Sequence, residues 1–551
     1  MAELETYPRP AKVEAPDDVM ARASNGEAPK QIDWNGAKVL DFTPPTLDDA
    51  QHALLRLSDE AQSSLRTLFD RVKKSDTVDA LSRTWEAVKQ GLSREKTDWT
   101  FAINLTTDYG SGYGVEARMA ELHKLAEKTK DKPVSLVVQA AMPDYQSPEA
   151  FASGQPDGHY LERWLIKDGK MTWLESAKSV GLAKDTEDLL TFTGKRFDAK
   201  QMGLLLDSHG NGNLGLTGDT GSATVPEFAK ALRNGLKSIN RQSLDVLDFD
   251  CCLMSQNGVV NEVKDVTKNV VASAETEHIA GQELTMPLEH IFANPKMTGE
   301  EVARDFIKSN RDKQAAADAI SKVLSYFGID NPAKVPIKTL AHMSVKEYEG
   351  FRGSLDKFGD KMCDVLKDEK NRAAIEDVID DTETYGGGGG GFLFLFMSAK
   401  GDKYDLKDFT QKVVKAIDDG RIKDADGSLK ASAEDVLAKR KQLVGDYFGH
   451  GSYAQLGGYS VFLPGRDLRE GTDPHVQREY RAQLVNNETG WGRFRHALQH
   501  QAKPPEGDKP EHPVTKPEPA PAPRQINETA PPPPEQLPAP RPVREPAVRQ
   551  R

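Results

Sequence analysis

The chain of 551 residues carries 73 Lys and Arg against 85 Asp and Glu, a formal net charge of −12, so it lacks the clustered bases that nucleic acid or an anionic membrane surface demands of a main partner. The N-terminal stretch MAELETYPRPAKVEAPDD has no basic segment leading into an apolar one, and no apolar run reaches bilayer-spanning length. With only three cysteines, two of them the adjacent Cys251 and Cys252, a disulfide framework is excluded; the expectation is a cytoplasmic protein, export outside the Sec route remaining open, in which cysteine is available for chemistry.

Residues 1–45 are polar, Pro-bearing and without sustained periodicity, and read as a disordered leader. From 46 to 96, Leu54, Leu57, Leu65, Leu68, Phe69 and Val72 fall near helical spacing, which predicts a helical N-terminal region. Between 97 and 296, the runs WTFAINLTT, PVSLVVQAAM, HYLERWLIK, MGLLLDSHG, LDVLDFDCCLM and NVVASAE alternate with helical segments. Several are apolar on successive residues, as expected of strands covered on both faces, and the alternation predicts an α/β domain with a mostly parallel sheet. Residues 297–501 form a mixed part, with the long helical pattern GEEVARDFIKSNRDKQAAADAISKVLSYF and the strand-like runs GGFLFLFMSA and GGYSVFLPGRD. A glycine tract, Gly386 to Gly391, precedes the first of these runs and reads as a surface loop. The tail, 502–551, is proline-rich and reads as disordered, with P-x-x-P spacings able to dock a partner's aromatic groove.

The stretch GLLLDSHGNGNLGLTGDTG contains G-x-G-x-x-G at Gly210, Gly212 and Gly215. A dinucleotide site needs a helix opening at the third glycine, yet LTGDTGSA follows, and the helix signal comes only at Thr224, Pro226 and Glu227 as N-cap, first-turn proline and capping-box partner. No G-K-[ST] follows either, so a P-loop is absent. The glycines instead flank His209, delivered by an apolar strand to the carboxyl edge of a parallel sheet, with Gly210 leaving an unobstructed amide beside it. About forty residues on, SLDVLDFDCCLMSQNGVVNEV repeats the pattern and brings Asp250, Cys251 and Cys252 to the same edge.

Together, S-H-G-N-G and F-D-C-C-L-M resemble the signatures of the clostripain family of cysteine peptidases, relatives of caspases, legumains and gingipains. The resemblance covers about residues 97–500 and includes LLTFTGKRFDAKQMGLLLDSHG, NVVASAETEHIAGQELT and TGWGRFRHAL. It implies a caspase-like α/β/α sandwich and acyl transfer by a Cys252–His209 dyad, with the amides of Gly210 and Cys252 as oxyanion donors and no third carboxylate, so Asp207 is not assigned. Cys252 is the nucleophile because Leu253 and Met254 follow it; Cys251 then reads as a buried neighbour and Cys363 as a core residue. Asp250 matches an acidic position of the substrate pocket, with Glu275 and Glu277 as further acids along its wall, which implies cleavage of proteins or peptides after Arg or Lys. The family's Gly-Trp after this segment is absent, since Gln282 follows Gly281.

Self-processing between the two motifs would use Arg233, Lys237 or Arg241. No metal or cofactor is required; calcium is allowed by the Asp-bearing turns GDTG (218–221) and DADGS (424–428), neither of which spells an EF-hand loop. The competing reading is a catalytically weak peptidase-like scaffold used for binding.

Overall fold

The computed structural model describes residues 33–34, 37–38, 94–106, 114–144, 158–277, 281–326, 338–386, 403–463 and 489–499. The chain divides into units 1–500 and 501–551, and the second, with the proline-rich tail, lies outside the described residues. So do the helical region expected before residue 94, most of the 1–45 leader and the GGFLFLFMSA run.

In chain order the main elements are β1 (Glu95–Leu105), α1 (Val115–Ala126), β2 (Val134–Asp144), β3 (Gly158–Lys167), β4 (Lys170–Lys178), α2 (Leu182–Arg196) and β5 (Phe197–Asp207). Three short strands follow, β6 (His209–Gly210), β7 (Leu216–Gly218) and β8 (Gly221–Ala223), then α3 (Val225–Ser238), β9 (Val246–Asp250), α4 (Asn257–Val263) and β10 (Asn269–Ala272). The remainder comprises α5 (Thr285–Ala293), α6 (Gly299–Tyr326), β11 (Thr339–Ser344), α7 (Tyr348–Val365), α8 (Glu369–Asp381), β12 (Thr384–Tyr385), β13 (Lys403–Asp405), α9 (Leu406–Asp418), α10 (Ser428–Leu443), β14 (Val444–Gly449), β15 (Ser460–Phe462) and α11 (Gly490–Gln499).

The central sheet has nine strands in the order β14-β11-β10-β9-β5-β1-β2-β3-β4. Its five middle strands, β10 to β2, run parallel, and antiparallel pairs extend it on both sides. Sequence patterning explains why the sheet is covered on both faces. On β5, Leu204 and Leu206 join one core with Phe228 and Leu232 of α3, while Leu205 joins the other with Leu122 of α1 and Phe306 of α6. On β9, Leu247 and Phe249 point to the first layer and Val246 to the second. The period of two thus sorts each strand between two helical layers, which makes an α/β/α sandwich. Strands β11 and β14, from the C-terminal mixed part, complete the same sheet.

The chain between β5 and α3 is more ordered than a plain loop: β6, β7 and β8 form a small antiparallel sheet there. Helix α3 begins where its capping chemistry places it, with the Thr224 side chain accepting from the Glu227 amide, the Glu227 carboxylate accepting from the Thr224 amide, and Pro226 in the first turn.

Candidate active site

Strands β5 and β9 are neighbours, with Asp207 directly opposite Asp250. The Ser208 amide donates to the Asp250 carbonyl at 3.2 Å, so the pairing persists past both strand ends. Two positions beyond each strand end stands one residue of the expected pair, His209 on one side and Cys252 on the other. The two strand ends meet at Gly210, where a Cβ would lie 2.3 Å from the Cys252 carbonyl oxygen and 3.0 Å from Cys251 Cβ. Only glycine admits that approach. Gly212, at φ 56°, turns the chain so that Gln256 Oε1 accepts from the Asn213 amide at 2.6 Å.

The turn that presents the thiol is strained. Leu253 sits at φ 66°, a conformation costing an ordinary residue about 1–2 kcal/mol, held by its amide on the Glu275 carbonyl at 3.2 Å and by its side chain against Ala274, Tyr385 and Leu456. Cys252 is half-buried and accepts at Sγ from the Glu277 amide at 3.2 Å. Cys251 is buried in the main core and donates to the Leu206 carbonyl at 3.4 Å, while Cys363 packs on the core from α7. Of the adjacent pair, Cys252 is the accessible sulfur.

Burial and the neighbouring Glu277 push the Cys252 thiol up to about 12, although the Glu277 amide works in the opposite direction. Burial pushes His209 below the ordinary histidine value, offset in part by Asp219. Both shifts favour the uncharged forms, thiol and imidazole.

The two acids expected to face a substrate are satisfied inside the chain. Asp250 is 4% exposed; it accepts from Arg118 Nη2 at Oδ2 and from the Gln282 amide at Oδ1, 2.9 Å. Gly281, at φ 61°, lies flat over that ion pair, where a side chain would collide with Arg118 and Asp250. Glu275 is fully buried and accepts from Thr276 Oγ1 at 2.8 Å, Lys338 Nζ at 3.4 Å and the Gly386 amide at 2.9 Å. Glu277 differs: its Oε1 accepts from Gln282 Nε2 at 3.1 Å, whereas its buried Oε2 accepts no hydrogen bond among the described residues. The fully buried Asp248 lies one step below Asp250 on the same strand face, with the Gln282 side chain beside it. Burial together with the neighbouring carboxylates pushes both acids well above the usual carboxylate range.

Two contributors escaped the sequence reading. Arg118 does carry a signal: in VEARMAELHKLA it occupies the buried stripe of Val115, Leu122 and Leu125, where a base is out of pattern. The stacked rings of Tyr385 and Tyr453, which wall Cys252, come from distant segments and have no local signature.

The Asp-bearing turns are engaged within the fold. In DADGS, Asp424 accepts from the amides of Leu429 and Lys430 at the start of α10, and GDTG is the hairpin between β7 and β8. Among the described residues no group of three or more His, Cys, Asp or Glu is arranged to hold a metal ion.

The model of the clostripain family matches residues 172–449, half of the chain. None of the curated proteins matches. Similar solved structures include a secreted C11 cysteine protease of Bacteroides thetaiotaomicron, "iotapain", at 12% identity and TM-score 0.45, covering 73% of this chain and 100% of that one. A second structure of a secreted C11 protease from that organism, in complex with an irreversible peptide inhibitor, is 14% identical with TM-score 0.45, covering 73% and 99%. An inactive zymogen C11 protease of Parabacteroides distasonis is 12% identical with TM-score 0.44, covering 73% and 99%. Two of these three are secreted, and the expectation of a cytoplasmic protein is withdrawn: a low cysteine count does not assign a compartment. No helix among the described residues is long and apolar enough to cross a membrane. By the family match over half its length, with the Cys and His motifs at adjacent strand ends of an α/β/α sandwich, the chain belongs to the clostripain family and is a cysteine peptidase.

Proposed function

We propose that the chain is an endopeptidase that cleaves proteins or peptides after Arg and Lys, with Cys252 as nucleophile and His209 as its proton partner. The observation that carries this reading is the approach of Gly210 to the Cys252 carbonyl, which joins the two strand ends bearing these residues. His209 takes the thiol proton as sulfur attacks the scissile carbonyl, and the amides of Gly210 and Cys252 receive the oxyanion. Collapse breaks the C–N bond, the amine leaves with the proton from His209, and water hydrolyses the thioester.

The preference for a basic residue rests on the excess of carboxyl groups behind Cys252. Arg118 already engages Asp250, so the remaining acid beside the sulfur is Glu277, whose amide donates to Cys252 Sγ and whose buried Oε2 accepts no hydrogen bond among the described residues. Self-processing belongs to the same reading. Its basic candidates lie in or beside α3, where Arg233 donates to the Glu262 carbonyl and Arg241 to the carbonyls of Ala199 and Lys200, so cleavage there requires local unwinding.

The decisive experiment is hydrolysis of fluorogenic peptides ending in Arg, Lys or Leu, by the wild-type chain and Cys252→Ala, under reducing conditions with and without calcium, with mass spectrometry of the incubated chain. Hydrolysis of the Arg and Lys peptides, lost in Cys252→Ala, is expected. Absence of turnover in every condition favours the binding scaffold instead.

A further inference from the structure

Asp207 and Asp250 face each other at the ends of β5 and β9, on the sheet face that packs against α1. Register partners on adjacent strands have their side chains about 5 Å apart, and like charges so placed repel. Both residues are almost fully buried, 6% and 4% exposed, so solvent does not screen them. Each stands two residues before a reacting side chain, Asp207 before His209 and Asp250 before Cys252. The two carboxylates and the two residues of the proposed reacting pair thus lie on the same two strand ends.

One guanidinium lies between them. Arg118 Nε donates to Asp207 Oδ2 at 3.2 Å, Nη2 to Asp250 Oδ2, and Nη1 to the Gln282 carbonyl at 2.8 Å and to Glu121 Oε2 at 3.3 Å. Arg118 is itself 4% exposed and is held firmly in its charged form by these acids. Other titratable groups facing the cluster include Asp248, below Asp250, Glu277, from the segment after β10, and the thiols of Cys251 and Cys252. Arg118 comes from α1, outside the residues matched by the family, 172–449.

We propose that Arg118 is a positioning residue for the peptidase site: by bridging Asp207 and Asp250 it clamps the two strand ends that carry His209 and Cys252. The planar fork suits this task, because it donates to two carboxylates in fixed geometry where a lysine ammonium reaches only one well. The proposal rests on the reading of Cys252 and His209 as the reacting pair.

The test compares Arg118→Gln, Arg118→Lys and the uncharged triple variant Asp207→Asn/Arg118→Gln/Asp250→Asn. The readouts are kcat and KM on the Arg, Lys and Leu peptides, the pH dependence of Cys252 alkylation by iodoacetamide, and melting by circular dichroism. Arg118→Gln is expected to lower kcat about 100-fold on every peptide it cleaves, with KM within about threefold, since a displacement of about 1 Å in a reacting pair is worth about that much. Its alkylation profile shifts in pH. Arg118→Lys keeps the buried charge and loses about tenfold, and the triple variant recovers at least about tenfold relative to Arg118→Gln because the repulsion is gone. A rise in KM confined to the Arg and Lys peptides, with kcat intact, overturns the clamp and makes the ion pair part of the substrate seat. A triple variant no better than Arg118→Gln overturns it too. Should Arg118→Gln not fold, a folded Arg118→Lys with wild-type kcat is the refuting result. Should the wild-type chain cleave nothing, the peptidase reading fails separately, and the alkylation profiles of the folded variants still decide the clamp: a profile unchanged in Arg118→Lys refutes it.

Discussion

The approach of Gly210 to Cys252 is open to a quantitative challenge. In Gly210→Ala the new methyl would lie 2.3 Å from the Cys252 carbonyl oxygen and 3.0 Å from both Cys251 Cβ and Met254 Cγ. The oxygen belongs to the backbone, so no rotamer change relieves the overlap; the carbonyl has to retreat by about 1 Å to reach van der Waals separation. Overpacking of this kind costs about 1–3 kcal/mol of stability. The same displacement at the nucleophile lowers kcat/KM by about 100-fold, or about 2.7 kcal/mol in the barrier. Kinetics on an Arg-terminated peptide and thermal melting measure the two effects on one preparation. Gly353→Ala is the control: on α7, with nothing within 4 Å of its added methyl, it is expected to stabilise the chain by about 0.5–1 kcal/mol and leave activity unchanged. Wild-type kcat/KM in a folded Gly210→Ala would refute the claim that this contact sets the position of Cys252.

Two further predictions concern stability. His342 is fully buried on β11, with Nε2 against Asn269 Oδ1 at 2.9 Å, and burial with the nearby Arg304 pushes it down to about 4. The unfolded chain protonates this residue first, so stability present above about pH 6.5 is lost progressively down to about pH 4, by about 3 kcal/mol at most. A series of melts from pH 7.5 to 4.5 should therefore show a steeper acid loss in the wild type than in His342→Gln; parallel curves would contradict it. Thr224→Ala removes the capping-box acceptor at the start of α3 and is expected to cost about 1 kcal/mol in urea unfolding, with Glu227→Gln costing less.

Local chemistry made part of this protein legible before any coordinates. The capping box starts α3 at Thr224 because residues three apart satisfy each other's backbone groups, and the apolar runs of β5 and β9 end at polar residues because the sheet ends there. Those two facts put His209 and Cys252 at one sheet edge. The small sheet of β6, β7 and β8 was less legible, since two- and three-residue strands carry almost no pattern.

What the tertiary structure alone decided is the electrostatic state of the site. Asp250, read by itself, is an acid two residues before Cys252; in the fold it is paired with Arg118, 132 positions earlier. Likewise Glu275 is consumed by Lys338 and Gly386, while Glu277 turns its amide to the sulfur. The physical reason is range: capping and periodicity act over three or four residues and are written in order along the chain, whereas the partner of a buried charge is chosen by which strands and helices pack together.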